Sequence, residues 1–171
     1  PLSCIATDII TGEEIVLNKG SVLEAVRASI SIPAIFKTVK KDKRYLVDGG
    51  LVNPVPVSIA EEMGADFVIA VDVTPDRIER ANYILEHQED KEPNIMQVMI
   101  QSIYIMTYNT AHTASEGADT VIRPDVVHIG PGEFHRGAEA VLEGELAAED
   151  ALPHLKKDLA AAGIPLLKNP I

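Results

Sequence analysis

The run from Phe67 to Val73 is apolar at every position except Asp72, and it limits the possible folds more than any other stretch of the chain. It is too short for a free-standing helix and too uniformly apolar for a strand with one wet face. It reads as a strand of a parallel sheet covered on both sides, an arrangement that requires helices packed above and below. The surrounding sequence supplies candidates. Val57 to Met63 is helical in pattern, and Gly64 follows as a residue able to close a helix in the left-handed region. Asn94 to about Ser115 reads as a long helix, and Arg136 to Leu159 as one or two closing helices, broken or kinked near Pro153.

The first third of the chain alternates in the same way. Leu2 to Ala6 reads as a buried strand that ends at Thr7-Asp8 and the turn Thr11-Gly12, and Glu13 to Leu17 as a second strand. Ser21 with Glu24 forms a capping-box signature, followed by a helix whose apolar face is Val22, Leu23, Val26 and Ile30, stopped by Pro33. Phe36 to Val47 gives two short strands around the charged tip Lys40 to Arg44, a hairpin that runs into Asp48. Thr120 to Arg123 reads as another strand, with Val126 to Ile129 extending it before the turn Gly130-Pro131-Gly132. Residues 74–93 are polar and read as a loop. The expected architecture is α/β in a single domain spanning 1–171, a mostly parallel sheet flanked by helices, with a small hairpin before Asp48.

Charge narrows the function. The chain carries 26 acidic and 15 basic side chains, a formal charge of −11. This sign repels phosphate backbones and anionic headgroups, so neither nucleic-acid binding nor polybasic membrane attachment is expected. No apolar run approaches the roughly 18 residues of a membrane span, and a cytoplasmic or peripherally membrane-associated location is expected. Cys4 stands alone, which excludes an internal disulfide. His112, His128 and His135 lack metal-ligand spacing, and no phosphate-cradling or dinucleotide-type glycine loop occurs. No cofactor or metal is expected. Asp72 reads as a strand-end carboxylate capping the next turn, because the second acidic group of a magnesium site is absent.

Asp48-Gly49-Gly50 is the strongest chemical candidate. A carboxylate at a strand end, followed by two residues able to take backbone angles closed to others, is how a loop presents a side chain into a cleft. An ordinary Asp-Gly turn uses the same residues. The neighbourhood adds to the tripeptide. Val26 to Phe36, containing Arg27-Ala28-Ser29-Ile30-Ser31-Ile32-Pro33, then Leu46 to Val57, containing Asp48-Gly49-Gly50 and Asn53-Pro54, then Met63-Gly64-Ala65-Asp66 closely resemble the second half of the patatin-like phospholipase family. Ala6-Thr7-Asp8 and Thr11-Gly12 fit the same pattern upstream, and Ala118 to Asp125 with Phe134 fit it more loosely. Ala34 departs from it, since the family usually has glycine after the proline; little consequence is expected.

The resemblance implies a lipid acyl hydrolase with a Ser-Asp dyad, the serine in a Gly-x-Ser-x-Gly elbow and the oxyanion hole in a glycine-rich loop before it. Asp48 matches the dyad aspartate and would serve as general base. Neither the elbow nor the loop occurs in these 171 residues. The chain is therefore expected to be the C-terminal part of such an enzyme, inactive alone, with a lipid or ester as the whole protein's substrate. Ser29 and Ser31, which precede Asp48 in the sequence, lack an elbow and read as capping and packing residues. The alternative is a non-catalytic scaffold or binding domain of the same fold. Two further expectations concern apolar surface. Asn94 to Tyr108 is apolar on nearly every side and must be covered, by the sheet or, as a methionine-rich flap, by acyl chains. Self-association is expected to hide a sheet edge left open.

Overall fold

A computed structural model describes residues 1–87, 92–130 and 132–166. It divides into two compact units, Pro1–Pro56 with Gln88–Ala114, and Val57–His87 with Ser115–Ile171.

The first unit is built on a four-stranded sheet of β1 (Cys4–Asp8), β2 (Glu14–Leu17), β3 (Val39–Lys41) and β4 (Arg44–Asp48), in the order β2-β1-β4-β3. Every pairing is antiparallel, with Ile5 opposite Val16, Thr7 opposite Val47 and Lys40 opposite Tyr45. This corrects the expected mostly parallel sheet. β1 with β2, and β3 with β4, are joined by short turns, which permit only antiparallel neighbours, and β4 comes to lie antiparallel beside β1 after the chain has passed through α1. The hairpin before Asp48 is present, and its two-residue tip, Asp42-Lys43, has positive φ at both positions, as the twist-matched hairpin turn requires. The first strand starts two residues later than expected and runs on through Asp8.

Helix α1 (Val22–Ser29) begins at Ser21, whose hydroxyl accepts from the Glu24 amide. Its buried residues are Ala25 and Ala28, which join Ala6, Leu17 and Leu46 in one cluster. The expected apolar face points the other way: Val22, Leu23, Val26 and Ile30 are exposed, Leu23 at 79 %. Small side chains let a helix axis approach a sheet closely, and this close approach decided which face turned inward. Helix α4 (Ile95–Ser115) is also corrected. It starts where expected, with Asn94 and Gln97 exchanging side-chain-to-backbone hydrogen bonds. It is not sheathed, however, and Ile95, Val98, Met99, Ile105 and Met106 are exposed along one side.

The second unit contains α2 (Val57–Glu62), closed by Gly64 at φ +89°, and a parallel pair, β5 (Ile69–Val71) with β6 (Thr120–Ile122). The pair is locked at one end by Asp119, which accepts from the Val68 amide at 2.7 Å, and tied to α5 (Gly137–Ala161) by Thr120 donating to Asp158. The strand expected to be covered on both faces is covered on one. Val68, Ala70 and Asp72 are buried, while Ile69, Val71 and Val73 are 45, 53 and 59 % exposed. Asp72 caps its turn as expected, accepting from the Thr74 amide at 3.0 Å, with Arg123 3.7 Å away.

Two further expectations need correction. Residues 77–87, expected as loop, form α3 (Arg77–His87), started by Asp76, which accepts from the Ile78 and Glu79 amides; residues 88–91 of that expected loop lie outside the described residues. Val126 to Ile129 forms a turn, closed by Ile129 donating to the Val126 carbonyl, and does not extend the strand. Of the expected turn Gly130-Pro131-Gly132, Pro131 lies outside the described residues. Helix α5 continues through Pro153. Pro153 and Glu149, the residue whose carbonyl loses its helical donor, are both exposed, where an unpaired carbonyl costs least.

Candidate active site

Asp48 is the last residue of β4 and the residue that caps a short 3-10 turn, Gly49–Leu51. Its Oδ1 accepts from the Gly50 amide at 2.7 Å. Among the described residues, the carboxylate's other oxygen accepts nothing, which leaves lone pairs for an incoming proton. Burial pushes the Asp48 carboxyl above its ordinary value of 3.8, and the Gly50 N–H opposes that push without cancelling it. A half-buried carboxylate held in this way is a better proton acceptor than one on the surface.

The two glycines act through space and not through backbone freedom, which corrects the sequence reading. Neither has positive φ. A Cβ on Gly49 would lie 2.2 Å from the Ile5 carbonyl oxygen, inside the neighbouring strand. One on Gly50 would lie 2.9 Å from Asp48 Oδ1 and 3.9 Å from the Pro54 ring. The first glycine lets β1 and the turn touch, and the second leaves room for the carboxylate. Asn53 closes the turn by donating its amide to the Gly49 carbonyl at 2.9 Å.

Both peptide groups of Asp48 are tied down as well. Its amide donates to the Ser31 carbonyl at 3.0 Å, and its carbonyl accepts from Thr7 Oγ1 at 2.8 Å. Ser31 is fully buried, and its hydroxyl donates to the Arg27 carbonyl while accepting from the Arg27 guanidinium, both at 2.6 Å. Arg27 also reaches the Lys37 carbonyl and lies 5.1 Å from the centre of the Phe36 ring. Ser31 therefore braces the end of α1, and its hydroxyl is already engaged. Ser29 is the last residue of α1, half-buried. Pro33 opens a turn in which Ala34 has φ +70° and Ile35 donates to the Ile32 carbonyl. That positive φ is the reason glycine suits position 34, so the departure there carries a strain that the sequence reading discounted.

The structure thus brings Asp48, Gly49, Gly50, Asn53, Pro54 and Ser31 into one locality. Thr7 and Arg27 complete it. Both fall inside the stretches that carried the resemblance, yet nothing in the sequence shows that they meet at Asp48. Asp8, one residue beyond Thr7, is buried and holds the other end of the β1–β4 pairing through Arg44 and the Ile10 amide.

Residues 5–61, which contain this whole arrangement, match the family model of the patatin-like phospholipases. An uncharacterised NTE family protein of Mycobacterium tuberculosis is 30 % identical over 165 residues, covering 86 % of this chain and 28 % of the relative. A second from the same organism is 33 % identical over 95 residues, covering 56 % of this chain and 24 % of its own length. Patatin-like phospholipase domain-containing protein 7 of Mus musculus is 38 % identical over 86 residues, 48 % of this chain and 6 % of that protein. The chain belongs to the patatin-like phospholipase family. It spans about a quarter of the length of the mycobacterial relatives it matches. Among the described residues, no helix is long and apolar enough to cross a membrane.

Proposed function

We propose that this chain carries the general base of a serine acyl hydrolase that acts on phospholipid, lysophospholipid or another carboxylic ester. Asp48 takes the proton of a serine hydroxyl as that oxygen attacks the ester carbonyl, then returns it to the leaving alcohol. The serine lies outside these 171 residues, which contain no Gly-x-Ser-x-Gly. The observation that carries this reading is the Asp48 carboxylate itself. It is pinned by the Gly50 amide on one oxygen and open on the other, and burial raises its basicity. The family match over the same residues supports it.

Without nucleophile or oxyanion donors, the chain by itself lacks the groups that lower the barrier, and no turnover is expected of it. The decisive test uses the whole protein. Asp48→Asn keeps the shape and the acceptor for Gly50 but removes the basic lone pair, and is expected to lower kcat on a short-chain nitrophenyl ester by at least ~10²-fold. Activity near wild type in a folded variant would reduce Asp48 to a turn residue.

A further inference from the structure

We infer that Thr7 is a positioning residue for the Asp48 carboxylate, acting with Ser31 to clamp the base's backbone from both sides. This inference rests on the reading of Asp48 as base. A carboxylate that must meet a hydroxyl in line is useful only if its own main chain is fixed, since about an ångström of misplacement is enough to cost two orders of magnitude in rate. Here the main chain ends its strand at the very residue that carries the chemistry, where sheet hydrogen bonding stops. Two bonds replace the ladder. The Asp48 amide donates to the Ser31 carbonyl at 3.0 Å, fixing the peptide before the base. Thr7 Oγ1 donates to the Asp48 carbonyl at 2.8 Å, fixing the peptide after it.

The second bond matters more for the carboxylate. The peptide that Thr7 holds leads directly into Gly49 and Gly50, and the Gly50 amide is the donor that orients Oδ1. Rotation of that peptide would swing the Gly50 N–H away from the carboxylate. Thr7 is buried, at 3 % exposure, with Val47 as its register partner on β4. Ser31 is anchored in turn by the reciprocal bonds with Arg27. The clamp thus runs from α1 through Ser31 to Asp48 and from Asp48 to β1.

The test uses the whole protein and a short-chain nitrophenyl ester, with Thr7→Val, Thr7→Ser and Thr7→Ala, each checked for native circular dichroism. Thr7→Val keeps the volume and removes the donor. A roughly 10-fold or larger fall in kcat with KM within about twofold of wild type is expected, with recovery in Thr7→Ser, which restores the hydroxyl. The double variant Thr7→Val/Asp48→Asn should be no slower than Asp48→Asn alone, because a positioning group has nothing left to position. A folded Thr7→Val with unchanged kcat overturns the proposal, as does a further loss in the double variant. Should Thr7→Val fail to fold, Thr7→Ala, which also removes the donor to the Asp48 carbonyl, is expected to show the same kcat loss at constant KM, and unchanged kcat there overturns the proposal equally. Failure of the base itself is separate: Asp48→Asn would then retain activity whatever Thr7 does.

Discussion

The end of β4 and the length of β5 show two ways in which a strand meets its surroundings. At Asp48 the amide, the carbonyl and one carboxylate oxygen each have a partner, and the next residue is pressed against β1. Along β5 the hydrogen bonds to β6 are in place, but Ile69, Val71 and Val73 present apolar side chains to solvent. The first region is complete in itself, because small residues in α1 let the helix seal the antiparallel sheet. The second has its backbone satisfied and one face uncovered. The candidate base belongs to the complete region, as pre-organised chemistry requires.

The most severe way to break that contrast is Gly49→Ala. The new methyl would collide with the Ile5 backbone at 2.2 Å, and the middle of a sheet cannot retreat. A loss of about 3 kcal/mol or more is expected, at the upper end for overpacking. Urea unfolding measures it. A fully stable Gly49→Ala would show that β1 and the turn are not in enforced contact.

The uncovered side is tested by association. Apolar faces of this kind are pairing and docking surfaces, and the exposed sides of α1 and α4 add to that of β5. This chain in solution at micromolar concentration is expected to form dimers or larger species and to bind a dye that reports apolar surface. A clean monomer by light scattering that binds no dye would mean that these side chains find cover within one chain.

What was legible in the sequence divides along the same line. Local signals are decided within a few residues of themselves: Ser21 before α1, Gly64 after α2, a hairpin turning within the charged stretch Lys40 to Arg44, and the carboxylate cap at Asp72. Which face a helix buries is decided by its neighbour. Val22, Leu23, Val26 and Ile30 form a good apolar stripe, yet Ala25 and Ala28 went inward. Helix α3 lies in a charged, polar stretch that reads as loop, although Ile78, Ala81 and Leu85 share one helical face and Asp76 followed by Glu79 was a readable start signal. For the site, Asp48 and its glycines were readable as a motif. That the glycines serve proximity, and that Thr7 and Ser31 meet the base, depends on strand order, which no local pattern encodes.

A smaller effect concerns pH. Burial raises the Asp48 carboxyl above its ordinary value, so the folded chain holds that proton more tightly than the unfolded chain does. The associated stability is fully present below the unfolded value of 3.8 and is lost as pH rises through the raised value. At pH 7 the ionised carboxylate therefore costs stability, and Asp48→Asn should melt slightly higher than wild type even as it loses activity. The difference in Tm should shrink as pH falls toward 4. A variant less stable at pH 7 would indicate that the carboxylate is held by more favourable contacts than the Gly50 amide alone.

The smallest effect sharpens the comparison inside the complete region itself, where one residue is strained. Ala34 follows Pro33 at φ +70°, with Ile35 donating to the Ile32 carbonyl at 3.1 Å. Proline second and a left-handed residue third is the pattern of a turn that favours glycine in the third place. A Cβ in that region costs about 1–2 kcal/mol, whereas glycine adds about 0.4–1 kcal/mol of unfolded-state entropy to be overcome. Ala34→Gly is therefore expected to gain about 0.5–1 kcal/mol, read as a rise in Tm of about 1–4 °C. The gain should leave kcat of the whole protein unchanged, since the Ser31 carbonyl that holds the base lies ahead of the turn and keeps its bond. A lower Tm would show that Ala34 is packed well enough to offset its strain. A changed kcat would show that the turn and the base move together, joining two parts of the site that the hydrogen bonds leave separate.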